Sequence, residues 1–285
     1  MDERIHTAAK VIESADGEAF LRFMADAYHG QGHGNGGRIP ALAADIGMVC
    51  RAGNKIELTN LGFLVANVAK EYCEYVKQGR MTAPPKPSRD IIAGKDVLDL
   101  GCSFGHSLWE FQREARSAVG LEKQEEYIVL GRALSVQEKV AAPKIVNGPA
   151  EELDRHFGPE SLDVIFTRLV LNYVKVKPVL EKMVAALRPG GTLWIIVEPP
   201  RVLPRRLMAR GQSLQRRGWI ALALLNLPVC LVTGRQLSIS TQGRMHTRHN
   251  PIYLPLWWWR KELQRHGLKN FRAFPAGALA FCAQK

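Results

Sequence analysis

From residue 95 onward the chain alternates short apolar runs with amphipathic stretches of helical period. The runs at 96–100, 118–122, 144–146, 162–166 and 192–197 read as strands, and the stretches near 105–117, 124–138, 150–157 and 176–188 read as helices. Such alternation predicts a parallel sheet with helices on both faces. After Glu198 it is broken by roughly 55 residues of different character, then resumes with a helix at 255–266 and strands at 270–274 and 278–283. The expected fold class is α/β, a doubly wound, mostly parallel seven-stranded sheet.

The segment before residue 88 reads differently. A helix is expected over 7–28, then a flexible Gly/His-rich stretch from Gly30 to Gly37. A short helix at 40–46, a hairpin turning at 52–54 and a helix over 61–78 follow. Leu61, Leu64, Val65, Val68, Tyr72 and Tyr75 recur there at helical spacing. The proline-rich run 82–89 reads as a linker, dividing a small N-terminal domain (1–88) from a larger one (89–285).

At 285 residues the chain is long enough to bury a proper core. Its five cysteines are widely spaced and form no C-x-x-C pair, which reads as reduced thiols in a cytoplasmic protein and suggests no metal site. The N-terminus lacks the apolar core of a signal peptide. The net charge of +12 is unevenly placed: residues 200–285 hold 15 basic side chains and one acid, Glu262. That local field favours an anionic partner.

The sharpest candidate chemistry lies in Val97-Leu-Asp-Leu-Gly-Cys-Ser-Phe-Gly-His-Ser107. An apolar strand enters a tight turn that opens a helix, and Gly101 and Gly105 remove side chains where backbone passes close to a ligand. The charged Asp99 inside an apolar strand points to function. About twenty residues on, the second strand ends in Glu122, where doubly wound folds place a carboxylate for a ribose diol. A nicotinamide dinucleotide would need G-x-G-x-x-G, but Ser103 and His106 occupy two of those glycine places. Cys102 fits a small packing residue rather than a nucleophile.

Leu98-Asp-Leu-Gly-Cys-Ser-Phe-Gly105 resembles the first motif of class I S-adenosylmethionine-dependent methyltransferases, and Leu187-Arg-Pro-Gly-Gly-Thr192 resembles the loop before their fifth strand. The resemblance implies a Rossmann-like methyltransferase fold, S-adenosylmethionine as cofactor and S-adenosylhomocysteine as product. It implies that Asp99, Gly101, Cys102, Ser103 and Gly105 line the methionine and ribose portion. Glu122 would hold the ribose hydroxyls, with Lys123 beside it. Ala150 and Glu151 would meet the adenine, although Pro149 stands where many relatives carry an acid. Thr167 and Arg168 would approach the methionine end, with Asn172 nearby; Arg168 reads equally as a structural ion pair.

Residues 47–62 look like the end of a winged-helix unit, with Thr59 capping the last helix. Two readings follow: a dimerising, substrate-shaping domain, or a DNA-binding regulator that senses S-adenosylmethionine. The charge balance of residues 1–90, with 11 bases and 11 acids, argues against nucleic acid.

Residues 200–252 interrupt the catalytic fold where, in this family, insertions commonly cover the substrate. They carry Arg201, Arg205, Arg206, Arg210, Arg216 and Arg217, and an apolar run at 219–232 too short to span a bilayer. That run reads as a buried lid helix, as a pocket lining, or, across 201–232, as a peripheral contact with an anionic membrane. His246 and His249 are the candidates for a general base. The expected reaction is methyl transfer to an anionic or lipophilic small molecule at oxygen, nitrogen or carbon, by a chain that forms a homodimer.

Overall fold

The computed structural model describes residues 2–30, 37–52, 55–79, 86–208, 214–233, 235–237, 239–240, 248–249, 251–274 and 278–285. The chain forms two compact units, one drawn from residues 1–82, 102–113 and 122–147, the other from residues 83–101, 114–121 and 148–285.

The first unit opens with α1 (Glu3–Glu13) and α2 (Gly17–Tyr28), where the sequence suggested one helix over 7–28. The break follows from local chemistry. Ser14 Oγ donates to Val11 O at 2.7 Å and accepts from the Asp16 N–H, bending the chain out of the helix. A Cβ at Gly17 would sit 2.0 Å from Ile12 O, so only glycine allows this return. Next come α3 (Arg38–Asp45), the antiparallel hairpin β1 (Val49–Ala52) and β2 (Lys55–Leu58), and α4 (Asn60–Glu71). Thr59 caps α4, accepting the Gly62 N–H at 3.0 Å while its hydroxyl donates to Gly47 O. The expected 61–78 helix is α only to Glu71; Tyr72–Lys77 continues it as a π-helix. The Gly30–Gly37 stretch lies outside the described residues over 31–36, the hairpin turn over 53–54, and the linker over 82–85.

The same unit contains α6 (His106–Glu114), α7 (Glu125–Gln137) and β5 (Ile145–Asn147). Its helices share one core: Ile5 and Ile12 of α1, Phe20 and Met24 of α2, Val65 and Val68 of α4, Phe104 and Trp109, and Leu130 and Leu134 of α7. Trp109 completes its polar edge by donating to Ser135 Oγ at 3.1 Å.

The second unit holds α5 (Arg89–Ile92), β3 (Asp96–Leu100), β4 (Ser117–Glu122, through Leu121), a 3-10 turn (Ala150–Glu152), α8 (Leu153–His156), β6 (Leu162–Arg168), α9 (Val176–Ala186) and β7 (Leu187–Val197). After these come α10 (Val202–Met208), α11 (Leu214–Thr233), a short pair β8 (Ile239–Ser240) and β9 (Arg248–His249), α12 (Leu256–Arg265), β10 (Lys269–Phe274) and β11 (Leu279–Gln284). The seven-stranded sheet has the order β10-β11-β7-β6-β3-β4-β5. Its pairs β4/β3, β3/β6 and β6/β7 are parallel, while β7/β11 and β11/β10 are antiparallel. This is the doubly wound sheet expected of the apolar pattern. β7 starts earlier than the expected 192, at Leu187, because Gly190 adopts a φ of 78° and the β6 pairing slips between Leu162 and Val164.

At the amino ends of these strands Asp96 and Asp163 meet Arg116 and Arg188. The Arg116 guanidinium holds the Asp96 carboxyl down to about 2. This ion network pins the sheet at the end away from the carboxyl-terminal loops.

Candidate functional site

In the first unit the turn after β3 runs through Cys102, Ser103 and Gly105. Ser103 has a φ of 53°, a left-handed conformation unusual for a residue with a Cβ. Its N–H donates to Glu122 Oε2 at 3.0 Å, and its hydroxyl donates to Glu71 Oε2 at 3.1 Å. Gly105, with a φ of 86°, lies so close to Pro143 that a Cβ would come within 2.7 Å of its ring. Cys102 is buried and Lys123 is exposed.

Glu122 is buried at the end of β4. Oε1 accepts the Gln124 N–H at 3.0 Å and Oε2 accepts the Ser103 N–H, while Asn147 Nδ2 donates to the Glu122 carbonyl. Burial pushes its pKa up, and the Gln124 and Ser103 N–H groups partly oppose that. The Lys123 N–H also favours the charged carboxylate.

In the second unit Asp99 is buried in β3, opposite Gly120 and Phe166. Gly101, at a φ of 72°, donates its N–H to Leu121 O; a Cβ there would meet Val170 at 2.1 Å. The Thr167 hydroxyl donates to Leu100 O at 3.1 Å and so ties β6 to the end of β3. Arg168 is half-buried. Ala150 is buried in the 3-10 turn, and the Glu151 carbonyl accepts from Lys182 Nζ.

Asn172 lies in the loop after β6 and bonds to backbone. Its Nδ2 donates to Ile252 O at 2.9 Å and Glu198 O at 3.4 Å, and its Oδ1 accepts the Glu198 N–H at 2.9 Å. Its side chain joins the end of β7 to the segment after β9, so it shapes the loop.

Sequence reading missed two constellations. The first is Glu71, whose contact with Ser103 joins residues 32 positions apart. The second follows β7. Arg206 Nη2 donates to Glu198 Oε1 at 2.5 Å, and its Nη1 donates to the Tyr253 hydroxyl at 2.9 Å. Tyr253 is buried among Leu203, Ile220 and Ala223, and the Tyr173 ring lies 5.6 Å from that of Trp219. The signal available was that Glu198 is the last acid before Glu262, directly ahead of the arginine run.

The insertion helix α11 is apolar on both faces. Ile220, Leu222, Ala223 and Cys230 are buried, yet Leu224, Leu225, Leu231 and Val232 are exposed, Val232 by 85%. The buried-lid expectation therefore describes only its inner face. No helix among the described residues is long and apolar enough to cross a membrane. His246, Arg210 and the side chains of Arg216 and His249 lie outside the described residues. His106 is buried and stacks on Tyr75 with ring centroids 5.6 Å apart.

Residues 98–195 match the family model described as a methyltransferase domain. The tRNA U34 carboxymethyltransferase of Idiomarina loihiensis is 29% identical over 118 residues, 39% of this chain and 36% of that protein, so the match spans about a third of the relative. Among solved structures, an S-adenosylmethionine-dependent methyltransferase from Mesorhizobium loti is 20% identical, covering 75% of this chain and 98% of that one, with a TM-score of 0.47. Haemonchus contortus phosphoethanolamine N-methyltransferase 2, solved with S-adenosyl-L-methionine, is 15% identical over 72% of this chain and 39% of that one, with a TM-score of 0.43.

Proposed function

We propose that this chain, whose residues 98–195 match a methyltransferase domain, is a class I S-adenosylmethionine-dependent methyltransferase that methylates a small acceptor with an apolar body and an anionic group. The observation that carries the cofactor half is the buried Glu122 carboxylate, held by backbone N–H groups at the end of β4, where doubly wound folds bind a ribose diol. Gly101 and Gly105 are proposed to belong to the same cradle; packing against Val170 and Pro143 already excludes a side chain at either. Asp99, Cys102, Ser103, Lys123, Ala150, Glu151, Thr167 and Arg168 complete the proposed cofactor set, and Asn172 supports the loop above it.

S-adenosylmethionine would supply an electrophilic methyl on a sulfonium; the acceptor nucleophile would bond to that carbon in line as the carbon–sulfur bond breaks and S-adenosylhomocysteine leaves. The chain's work is to orient that nucleophile and exclude water. The acceptor face is assigned to the loops at the carboxyl ends of β6 and β7, as doubly wound sheets generally bind ligands. There Arg206 pairs with Glu198, and the exposed Arg201, Arg205 and Arg217 are proposed to attract an anion. The exposed apolar stripe of α11 supports a lipophilic acceptor met at an anionic lipid surface across 201–232. A nucleophile that carries a proton needs a base, and His246 or His249 is proposed for it. The 1–88 segment is proposed to shape the acceptor site and to pair two copies of the chain.

Two measurements test this reading. Isothermal titration with S-adenosylmethionine should give binding to the wild type that Asp99→Ala and Glu122→Ala each weaken at least tenfold; unchanged affinity in both variants sinks the site. Methyl-labelled cofactor incubated with an extract of the source cells should leave label in the organic phase. Label confined to the aqueous phase rejects the apolar body of the acceptor.

A further inference from the structure

Glu71 ends α4 at the point where the helix widens into the π-turn of Tyr72–Lys77, a distortion often found at functional positions. Its Oε2 accepts the Ser103 hydroxyl at 3.1 Å, and its Oε1 accepts from Asn67 Nδ2 at 3.5 Å. Asn67 also donates to the Tyr127 hydroxyl on α7. Ser103 lies in the stretch matched by the methyltransferase model, within the turn that opens the cofactor site. One residue of that turn is therefore gripped by two carboxylates from different elements: Glu122 takes its N–H and Glu71 its hydroxyl.

The chemistry of the cofactor divides the work between them. Its ribose and adenine are neutral and hydrogen-bond through hydroxyls and ring nitrogens. Its cationic groups lie at the methionine end, on the α-ammonium and the sulfonium. A diol is served by one carboxylate, that of Glu122. A second carboxylate at the same turn adds negative potential that a neutral sugar does not use and an ammonium does. Resting on the cofactor reading above, we propose that the Glu71 carboxylate binds the α-ammonium of S-adenosylmethionine. The N-terminal segment then belongs to the cofactor site as well as to the acceptor side. Because Asn67 and Tyr127 brace Glu71, the amino-acid end of the cofactor is recognised by α4 and α7 together.

The test uses three ligands on the full chain by isothermal titration. S-adenosylmethionine and S-adenosylhomocysteine both carry the ammonium; 5′-methylthioadenosine keeps the adenosine and lacks the amino acid. Glu71→Gln should weaken the first two by a common factor of about tenfold and leave the third unchanged. Glu71→Asp, which keeps the charge, should recover part of the loss. Glu122→Gln should weaken all three, since all three carry the ribose. Thermal unfolding of each variant without ligand checks that the fold is intact. Wild-type affinity of Glu71→Gln for S-adenosylmethionine overturns the proposal. So does an equal loss for 5′-methylthioadenosine, which would make Glu71 a support for the Ser103 turn alone. A wild type that binds none of the three rejects the cofactor site itself, a failure distinct from either.

Discussion

Helices α4 and α11 are both apolar, and they use that character in opposite ways. On α4 the apolar positions fall on one stripe: Leu64, Val65, Val68 and Ala69 are buried, and Asn67, Lys70 and Glu71 supply polar contacts. That is the pattern of a helix whose stability comes from a core. On α11 the inner face is buried, but the outer face presents Leu224, Leu225, Leu231 and Val232 to solvent. A helix apolar all round belongs inside something. The difference separates a helix whose apolar stripe is covered from one that keeps a second apolar stripe exposed among the described residues.

The comparison breaks most easily at the buried positions. Leu64→Ala should destabilise the fold by about 2–5 kcal/mol, measured by denaturant unfolding, because the vacated volume opens into a packed core. A loss below about 1 kcal/mol would mean that α4 tolerates truncation as a surface helix does. On α11 the strongest point is polar. Asn226 is fully buried, its Nδ2 donating to Leu237 O and Pro251 O and its Oδ1 accepting the Leu237 N–H at 2.6 Å. Asn226→Ala leaves those three backbone groups without the amide and should cost about 1–3 kcal/mol. Loss of stability without loss of S-adenosylmethionine affinity would confirm that this clasp serves the insertion alone.

How far each helix could be read from sequence follows from the range of the information. The periodic stripe of α4 is local, so its residues were legible, as was the strand-turn-helix around Gly101, where a charged Asp99 interrupts an apolar strand. Features that depend on distant partners were not. Ser14 and Gly17 split the first helix through close contacts that helical periodicity does not register. Nothing local distinguishes Glu71 from the neighbouring acid Glu74; its bond to Ser103 spans 32 positions. Asn172 and Asn226 sit beside apolar residues, where an amide reads equally as ligand contact or clasp; only their backbone partners decide it. The apolar run of α11 left three readings open because hydrophobicity alone does not tell a core face from an outer one.

Acid titration sharpens the contrast at a smaller scale. Glu138, after α7, accepts the Tyr72 hydroxyl and pairs with Lys77 at 2.6 Å, tying the π-turn after α4 to α7. Burial raises its pKa, but Lys77 and Tyr72 outweigh that and hold the carboxyl below its usual value. A depressed folded pKa means stability that is complete above the unfolded value of about 4.3 and lost as pH falls through the folded one. Amides of α4 and the π-turn should therefore exchange faster below pH ~4, and Glu138→Gln should remove that dependence. The insertion 200–252 contains no Asp or Glu, so α11 has no carboxylate of its own to titrate. An equal acid response in α11 would show that the two helices unfold as one.

The smallest expected change in stability carries the sharpest functional reading. Leu225→Asp combined with Val232→Asp alters only exposed side chains of α11, which are 57% and 85% accessible. Each should shift unfolding free energy by no more than about 0.5 kcal/mol. Binding to a lipid surface should respond far more strongly, because two charges placed on an apolar face must be desolvated to enter the headgroup boundary. Co-sedimentation with phosphatidylglycerol-containing vesicles measures this directly: the wild type should pellet at low salt, and the double variant should remain in the supernatant. Raising the salt should release the wild type too, since the arginines of the insertion supply the long-range attraction and salt screens it. If wild type and variant pellet alike, the stripe is not the lipid-facing surface. If neither pellets while the variant loses methyl transfer to an organic-phase acceptor, the stripe meets the acceptor itself.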